Sequence, residues 1–352
     1  MLAITAYRKL FASLQEHRAV EARVRRLIEG TLDSRYIKPE AKPSGMLKYA
    51  QRHFFSTLFL AIYRALDIPE ERRLFYGVVN HCLRGIVTGA DNLLDDEYKE
   101  MLPLAFPEKA IRFKSIMHIL LFERFLHQSI EDLSLAGGID RQAAVDLHRE
   151  IFAAIVPIGA QEAGEEGGVE KILSPREILD SVHMFKGGNL LCLAFVAPRL
   201  LEREQAGRIE LARRGVFSIG LALQVIDDLT DFYQDLAQGN HNYLVSSIRF
   251  NAPAEEQSRL DLVLADRTAG GPSIEESYPK TVRVVMEEAI GEALKGFGLL
   301  HQAGFWLEPD MGRTLIRHLF RLRGVKSLLP FFPKHVTRSL SGDRPLGEKV
   351  AL

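Results

Sequence analysis

Two rows of carboxylates are spaced so that each falls along one side of a helix. Within Leu74–Glu100, the residues His81, Arg84, Thr88, Asp91 and Asp95 follow one another at intervals of 3, 4, 3 and 4, which is one helical stripe. Asp91 and Asp95 are one turn apart, so both carboxylates can reach one metal cluster. Within Phe217–Asn240, Gln224, Asp227, Asp231 and Asp235 follow at intervals of 3, 4 and 4. Uncompensated like charges at i, i+4 destabilise a helix by about 0.2–0.5 kcal/mol per pair, and divalent cations remove that cost. Magnesium takes octahedral oxygen ligands and binds through a few carboxylates plus substrate phosphates. Two such stripes suit it if their helices face each other across a cleft. Each stripe also has a plainer reading, as the solvated face of a helix end.

A third element is Ser181–Leu201. Lys186 lies in an apolar helical stretch and is followed by Gly187-Gly188. Each glycine costs a helix about 1 kcal/mol, and in return permits a kink or close backbone approach. At spacings of three, His183, Lys186 and Asn189 are expected on one face. A lysine there can bind a phosphate as a point charge, or simply snorkel to water.

The elements that must hold these residues read as helices almost throughout. Apolar residues recur at i, i+3, i+4 and i+7 near 5–28, 46–66, 70–97, 108–135, 140–160, 176–203, 205–238, 255–266, 280–302 and 309–328. Pro and Gly set the boundaries. Ser174-Pro175 with Glu177 behind it is a helix start. Gln161–Gly168 and Asp266–Ser277 read as mobile loops. The expectation is all-α, one helical domain over residues 1–338, with 339–352 a flexible tail.

Composition narrows the function. The 352 residues are 47% hydrophobic and 26% charged, an ordinary globular balance with room for a large core. Lys plus Arg is 45 and Asp plus Glu 46, so no global basic excess exists to hold nucleic acid. Cys82 and Cys192 cannot make a disulfide framework or a cysteine-only zinc site. The first residues lack a secretory pattern, and the apolar runs near Phe54–Tyr63 and Leu190–Pro198 are short for a bilayer. A cytoplasmic protein is expected.

Taken together, these elements resemble the class I isoprenoid synthase superfamily: the trans-polyprenyl diphosphate synthases, squalene and phytoene synthases, and class I terpene cyclases. Asp91-Asn92-Leu93-Leu94-Asp95 is similar to the DDxxD motif. Gln224-Val225-Ile226-Asp227-Asp228-Leu229-Thr230-Asp231, with Asp235 and Gly239, is similar to QxxDDxxDxxxDxxxG. Lys186-Gly187-Gly188 resembles the intervening lysine element. The resemblance implies an antiparallel helical bundle around an apolar cavity, and magnesium-dependent prenyl transfer from an allylic isoprenoid diphosphate. It implies a cluster of two or three Mg2+ held by Asp91, Asp95 and Asp227, with Asp231 and Asp235. Asp91, Lys186 and Asp227 are then catalytic, and Lys48, Arg52, Arg84, Lys186 and Gln224 bind substrate.

Departures from the family pattern bear on the reaction. Asn92 replaces an aspartate. The Arg-Arg pair that usually follows the first motif is absent, with only Lys99 nearby. The upstream basic element is reduced to Gly45-Met46-Leu47-Lys48, with Arg52 and His53 beyond. Gln224, Asp231, Asp235, Gly239 and Tyr243 echo the squalene and phytoene synthases. Single-substrate cyclisation or diphosphate release is the alternative activity, and a non-catalytic isoprenoid-binding or partner subunit is the alternative outside catalysis. The C-terminal Arg313, Arg317, Arg321, Arg323, Lys326, Lys334 and Arg338 suit a cap over the diphosphate, peripheral contact with an anionic membrane, or a solvated basic face. A homodimer is in keeping with the resemblance.

Overall fold

The computed structural model describes residues 2–39, 45–94, 98–266, 270–307, 309–322 and 325–341. Its helices are α1 (Leu2–Thr31), α2 (Met46–Arg52), α3 (Phe54–Ala65), α4 (Glu70–Leu94), α5 (Ile111–Leu135), α6 (Arg141–Ala163), α7 (Pro175–Ile178), α8 (Leu190–Cys192), α9 (Val196–Leu201), α10 (Ala206–Thr230), α11 (Phe232–Gln238), α12 (Tyr243–Asn251), α13 (Ala254–Asp266), α14 (Ile274–Ser277), α15 (Pro279–Gln302) and α16 (Pro309–Leu322). The protein is all-α: among the described residues the only β pairing is an isolated antiparallel bridge between Ile37 and Leu104. Two compact units make up the chain. The first is Met1–Ile151 with Leu193–Ile209, and the second is Phe152–Cys192 with Glu210–Leu352.

In the first unit, α4 packs on α1, α3 and α5. Its core includes Val20, Val24 and Ile28 of α1, Leu60 and Ile62 of α3, Tyr76 and Val79 of α4, and Phe122 and Phe125 of α5. A buried carboxylate fastens the helices: Glu16 of α1 accepts from Arg73 of α4, and from Arg64 of α3 at 2.5 Å. The segment expected as one helix over 46–66 is two. His53 ends α2 and starts α3 with a backbone outside helical values, φ −113° and ψ 25°.

In the second unit, Ser174 caps α7 in a reciprocal box. Its hydroxyl accepts from the Glu177 N–H at 3.3 Å, and the Glu177 carboxylate accepts from the Ser174 N–H at 2.7 Å. The helix then widens into a π-helix over Leu179–Asn189. In the sequence this reads as one regular helix; the paired glycines inside it account for the difference. A Cβ on Gly187 would lie 2.5 Å from the Gly220 carbonyl oxygen of α10, and one on Gly188 would strike the Phe217 ring. The π-helix and α10 therefore meet backbone to backbone. The helical run Pro175–Leu201 as a whole is 27 residues long and apolar enough to cross a membrane by length and composition, with 44% of its most apolar window buried inside the protein.

Two further expectations change. Gln161–Gly168 is anchored rather than loose: α6 continues to Ala163, Glu165 is buried, and the Val169 N–H donates to the Gly239 carbonyl at 2.7 Å. Leu340 and Ser341 are buried, and Ser341 donates from its N–H and hydroxyl to Glu292 at 3.0 and 2.7 Å. Residues 342–352 lie outside the described residues.

The glycine contact is testable. Gly187→Ala or Gly220→Ala pushes a methyl against a carbonyl that no rotamer change can move, so each should cost about 1–3 kcal/mol or more in urea unfolding. Gly159→Ala, with nothing near its added methyl, should be neutral or stabilising.

Candidate active site

The second carboxylate row survives a break in its helix. α10 ends at Thr230, and Asp231, with φ −101° and ψ 11°, caps α11. Hydrogen bonds from Asp231 N to Asp227 O (2.9 Å) and Asp235 N to Asp231 O (2.8 Å) carry the i, i+4 register across the joint. Gln224, Asp227, Asp231 and Asp235 consequently line one polar cleft together with Lys186, His183, Glu165 and His241. Asn189, expected on the same face as His183 and Lys186, does not line it. The wider i→i+5 turn of the π-helix breaks the spacing-of-three rule.

Asp228 plays a different part from its neighbour Asp227. It is 3% exposed and its carboxylate is fully engaged. His183 Nε2 donates to its Oδ2 at 3.0 Å, the Tyr243 N–H donates to the same oxygen at 2.5 Å, and Gln224 Nε2 donates to Oδ1 at 3.3 Å. It joins the π-helix, α10 and the start of α12. The Gln224 amide donor is thus turned toward Asp228. Asn242 caps α12 and donates to the Asp228 carbonyl at 2.7 Å and to Asp235 Oδ2 at 2.8 Å.

Lys186 is held by two carboxylates, Glu162 Oε2 at 2.9 Å and Glu165 Oε1 at 3.2 Å. Burial pulls its pKa down, but the two glutamates outweigh it and hold the ammonium above its ordinary value. Asp235 goes the other way. Burial, with Asp228 and Asp231 nearby and only partial relief from Asn242, pushes its carboxyl up to about 7. Aligned carboxylates strained by their own charge are a donor set that suits magnesium: hard oxygen ligands, arranged along one wall of a polar cleft. Sequence reasoning missed Glu162, Glu165, His183 as a clamp, and Asn242. The signal for Asp228 was present, since it is the second aspartate of its motif.

In the first unit, His81 is buried, Arg84 exposed and Asp91 half-buried along the α4 stripe, and Asp95 lies outside the described residues. Lys48 and Arg52 are exposed one turn apart on α2, and Arg52 Nη2 lies 3.5 Å from the Glu100 carbonyl. Arg52 and Arg84 both act electrostatically on Glu21, so those two predicted basic groups share a neighbourhood. Asn92, which replaces an aspartate of the motif, bonds to the Lys99 backbone. It is 1% exposed, accepts from the Lys99 N–H at 2.9 Å and donates to the Lys99 carbonyl at 3.2 Å. Aspartate cannot do both. At the C-terminus, Arg313 and Arg317 lie over the Phe332 ring at 5.3 and 4.9 Å, and Arg313 donates to the Lys334 carbonyl at 2.8 Å. These two are occupied by packing; the side chains of Arg321 and Arg323 lie outside the described residues.

Among solved structures, the chain is similar to a decaprenyl diphosphate synthase from Rhodobacter capsulatus, with a TM-score of 0.59 at 13% identity over 89% of this chain and 99% of that one. The fold is that of the polyprenyl synthases. An octaprenyl pyrophosphate synthase from Helicobacter pylori gives 0.55 at 14% identity, covering 89% and 98% of the two chains. A polyprenyl synthase from Roseobacter denitrificans gives 0.54 at 15% over the same shares. No family model matches the sequence, and no curated protein matches it. A polyprenyl-synthase fold reached at such low identity leaves function to be argued from the residues.

Two stability measurements separate site from scaffold. Asp228→Ala strands His183, Gln224 and the Tyr243 N–H, at about 1–3 kcal/mol for each buried group left unsatisfied, and should lower the unfolding midpoint accordingly. Asn92→Asp sets a buried charge against the Lys99 carbonyl and should cost at least about 1–3 kcal/mol in chemical denaturation, with no gain in magnesium affinity.

Proposed function

We propose that the chain is a magnesium-dependent prenyl transferase that uses allylic isoprenoid diphosphates. The observation that carries this reading is the row Gln224, Asp227, Asp231 and Asp235 lining one cleft with Lys186, in a chain of polyprenyl-synthase fold. Asp227, Asp231 and Asp235 would hold magnesium, with Asp91 and Asp95 supplying the carboxylates of the other motif. When bound, magnesium supplies Lewis-acid stabilisation of the charge on a departing diphosphate.

The protein's own groups do the rest. The Lys186 ammonium has three N–H donors, of which Glu162 and Glu165 take two. The third is directed to a diphosphate oxygen, where a fixed positive charge stabilises the anion as the allylic carbon–oxygen bond breaks. Glu162 and Glu165 keep that lysine charged and aimed. His183 and Asp228 hold the π-helix to α10, so Lys186 keeps its position relative to Asp227 and Asp231. Arg52 and Arg84 are the basic groups for a second diphosphate.

The experiment supplies geranyl, farnesyl or geranylgeranyl diphosphate with magnesium, alone and with isopentenyl diphosphate, and identifies the products. Elongation only in the presence of isopentenyl diphosphate is the expected outcome. A hydrocarbon of unchanged carbon count would establish cyclisation or elimination, and one of doubled count head-to-head coupling. No turnover of any diphosphate would overturn the reading. Asp227→Ala should lower turnover by about 100-fold or more, equivalent to ~2.7 kcal/mol. Lys186→Arg should restore only part of what Lys186→Ala loses, because a guanidinium fork differs from an ammonium in shape and hydration. A folded Asp227→Ala protein with full activity would remove this aspartate from the mechanism.

A further inference from the structure

The first unit contains a cluster of metal-binding side chains outside both aspartate motifs. His17 and Glu21 lie one turn apart on α1, and His53 lies at the joint of α2 and α3. One ring nitrogen from each histidine and one Glu21 carboxylate oxygen lie within 4.8 Å of one another. The His17 and His53 rings are 4.5 Å apart between centroids, and His81 of α4 lies 6.3 Å from His17.

A proton inventory shows what these rings offer. The Tyr49 hydroxyl donates its single proton to Glu21 Oε2 at 2.5 Å, and the Tyr49 hydroxyl oxygen lies 2.8 Å from His17 Nδ1. His17 Nδ1 must then carry a proton and donate to Tyr49, which leaves Nε2 as a bare lone pair. That Nε2 is buried without a hydrogen-bond partner, as are Nδ1 of His53 and Nδ1 of His81, in side chains that are nine-tenths buried or close to it. Unpartnered buried nitrogens are costly, and each of these three neighbouring histidines carries one. Glu21 keeps its other oxygen, Oε1, facing His53 Nε2 at 3.4 Å.

We propose that His17, Glu21 and His53 form a binding site for one transition-metal ion of the zinc class, which ties α1 to the α2–α3 joint. The donor set selects the metal: two imidazoles and one carboxylate suit zinc, cobalt or nickel, whereas magnesium takes oxygen. Tyr49 has the position of an orienting group behind the ligands, since it binds the far nitrogen of His17 and the far oxygen of Glu21. Arg18, Arg52 and Arg84 face the cluster and oppose a cation by charge alone. Nitrogen coordination, rather than net field, is what holds the ion. A metal here would fix the joint that carries Lys48 and Arg52. A second cluster, His127, Glu131 and His148, is mostly exposed and has one orphaned nitrogen, on His148. It serves as the internal control.

The test uses the full chain, stripped with chelator and titrated with Co2+ and Zn2+ in excess magnesium. Visible ligand-field absorption of Co2+ and the melting temperature are the readouts. One ion should bind the wild-type protein, with an intense low-symmetry cobalt spectrum and a raised melting temperature. His53→Gln and Glu21→Gln should abolish that spectrum, and Tyr49→Phe should weaken binding by about 10–100-fold, the usual effect of losing an orienting partner. His148→Gln should change none of these. Absence of Co2+ and Zn2+ uptake by the wild-type protein would overturn the proposal without any variant having to fold. So would a spectrum lost in His148→Gln and retained in His53→Gln.

Discussion

Gly187 and Gly220 meet backbone to backbone, and neither position has room for a side chain. This contact fixes the distance between the π-helix and α10, and the site of the second unit depends on that distance. Gly188 presses on Phe217 beside it, so the approach is closed on two successive residues. Once the helices are this close, Lys186 and His183 reach the cleft lined by Asp227 and Asp231. Glycine is a poor helix former, and an 11-residue π-helix is rare. Both costs are recovered in the packing of Phe217, Ile219 and Leu221 and in the clamp around Asp228.

That clamp divides the labour between two adjacent aspartates. Asp227 and Asp228 both border the cleft, but Asp227 is half-buried there while Asp228 is buried and bonded to the surrounding elements. Asp228 is acceptable inside because His183, Gln224 and the Tyr243 N–H saturate its oxygens. Asn242 links the same region to Asp235. The carboxylates lining the cleft are held by a scaffold in which Asp228 and Asn242 bond to several elements at once.

The helices, the capping box at Ser174 and the row Gln224–Asp235 were legible in the sequence because they rest on local periodicity and on one residue's bond to another three or four positions away. The breaks were not. His53 interrupts α2 and α3, and Asp231 interrupts α10 and α11, with no proline or glycine to mark either place. The π-helix was invisible because its cause lies partly at Gly220, more than thirty residues away. Glu165 read as part of a mobile loop because its partner Lys186 is brought to it only by the fold. Asn92 read as a degraded aspartate, although its amide is required by the turn at Lys99. In each case the missing information is a contact distant in sequence, which periodicity cannot carry.

The charge around Lys186 has a consequence for how an anion could enter the cleft. Glu162 and Glu165 pair with the charged lysine and outnumber it, and Asp227, Asp231 and Asp235 add carboxylates along the same wall. A diphosphate alone would meet a field of its own sign, and Asp235, already pushed up to about 7 by burial and its neighbours, records that strain. The carboxylates of the cleft outnumber its one lysine. The first unit differs. There Arg18, Arg52 and Arg84 act on a single half-buried glutamate, so an anion meets positive charge. The two units thus offer an anion different surroundings, a carboxylate-rich wall in one and a cluster of arginines in the other.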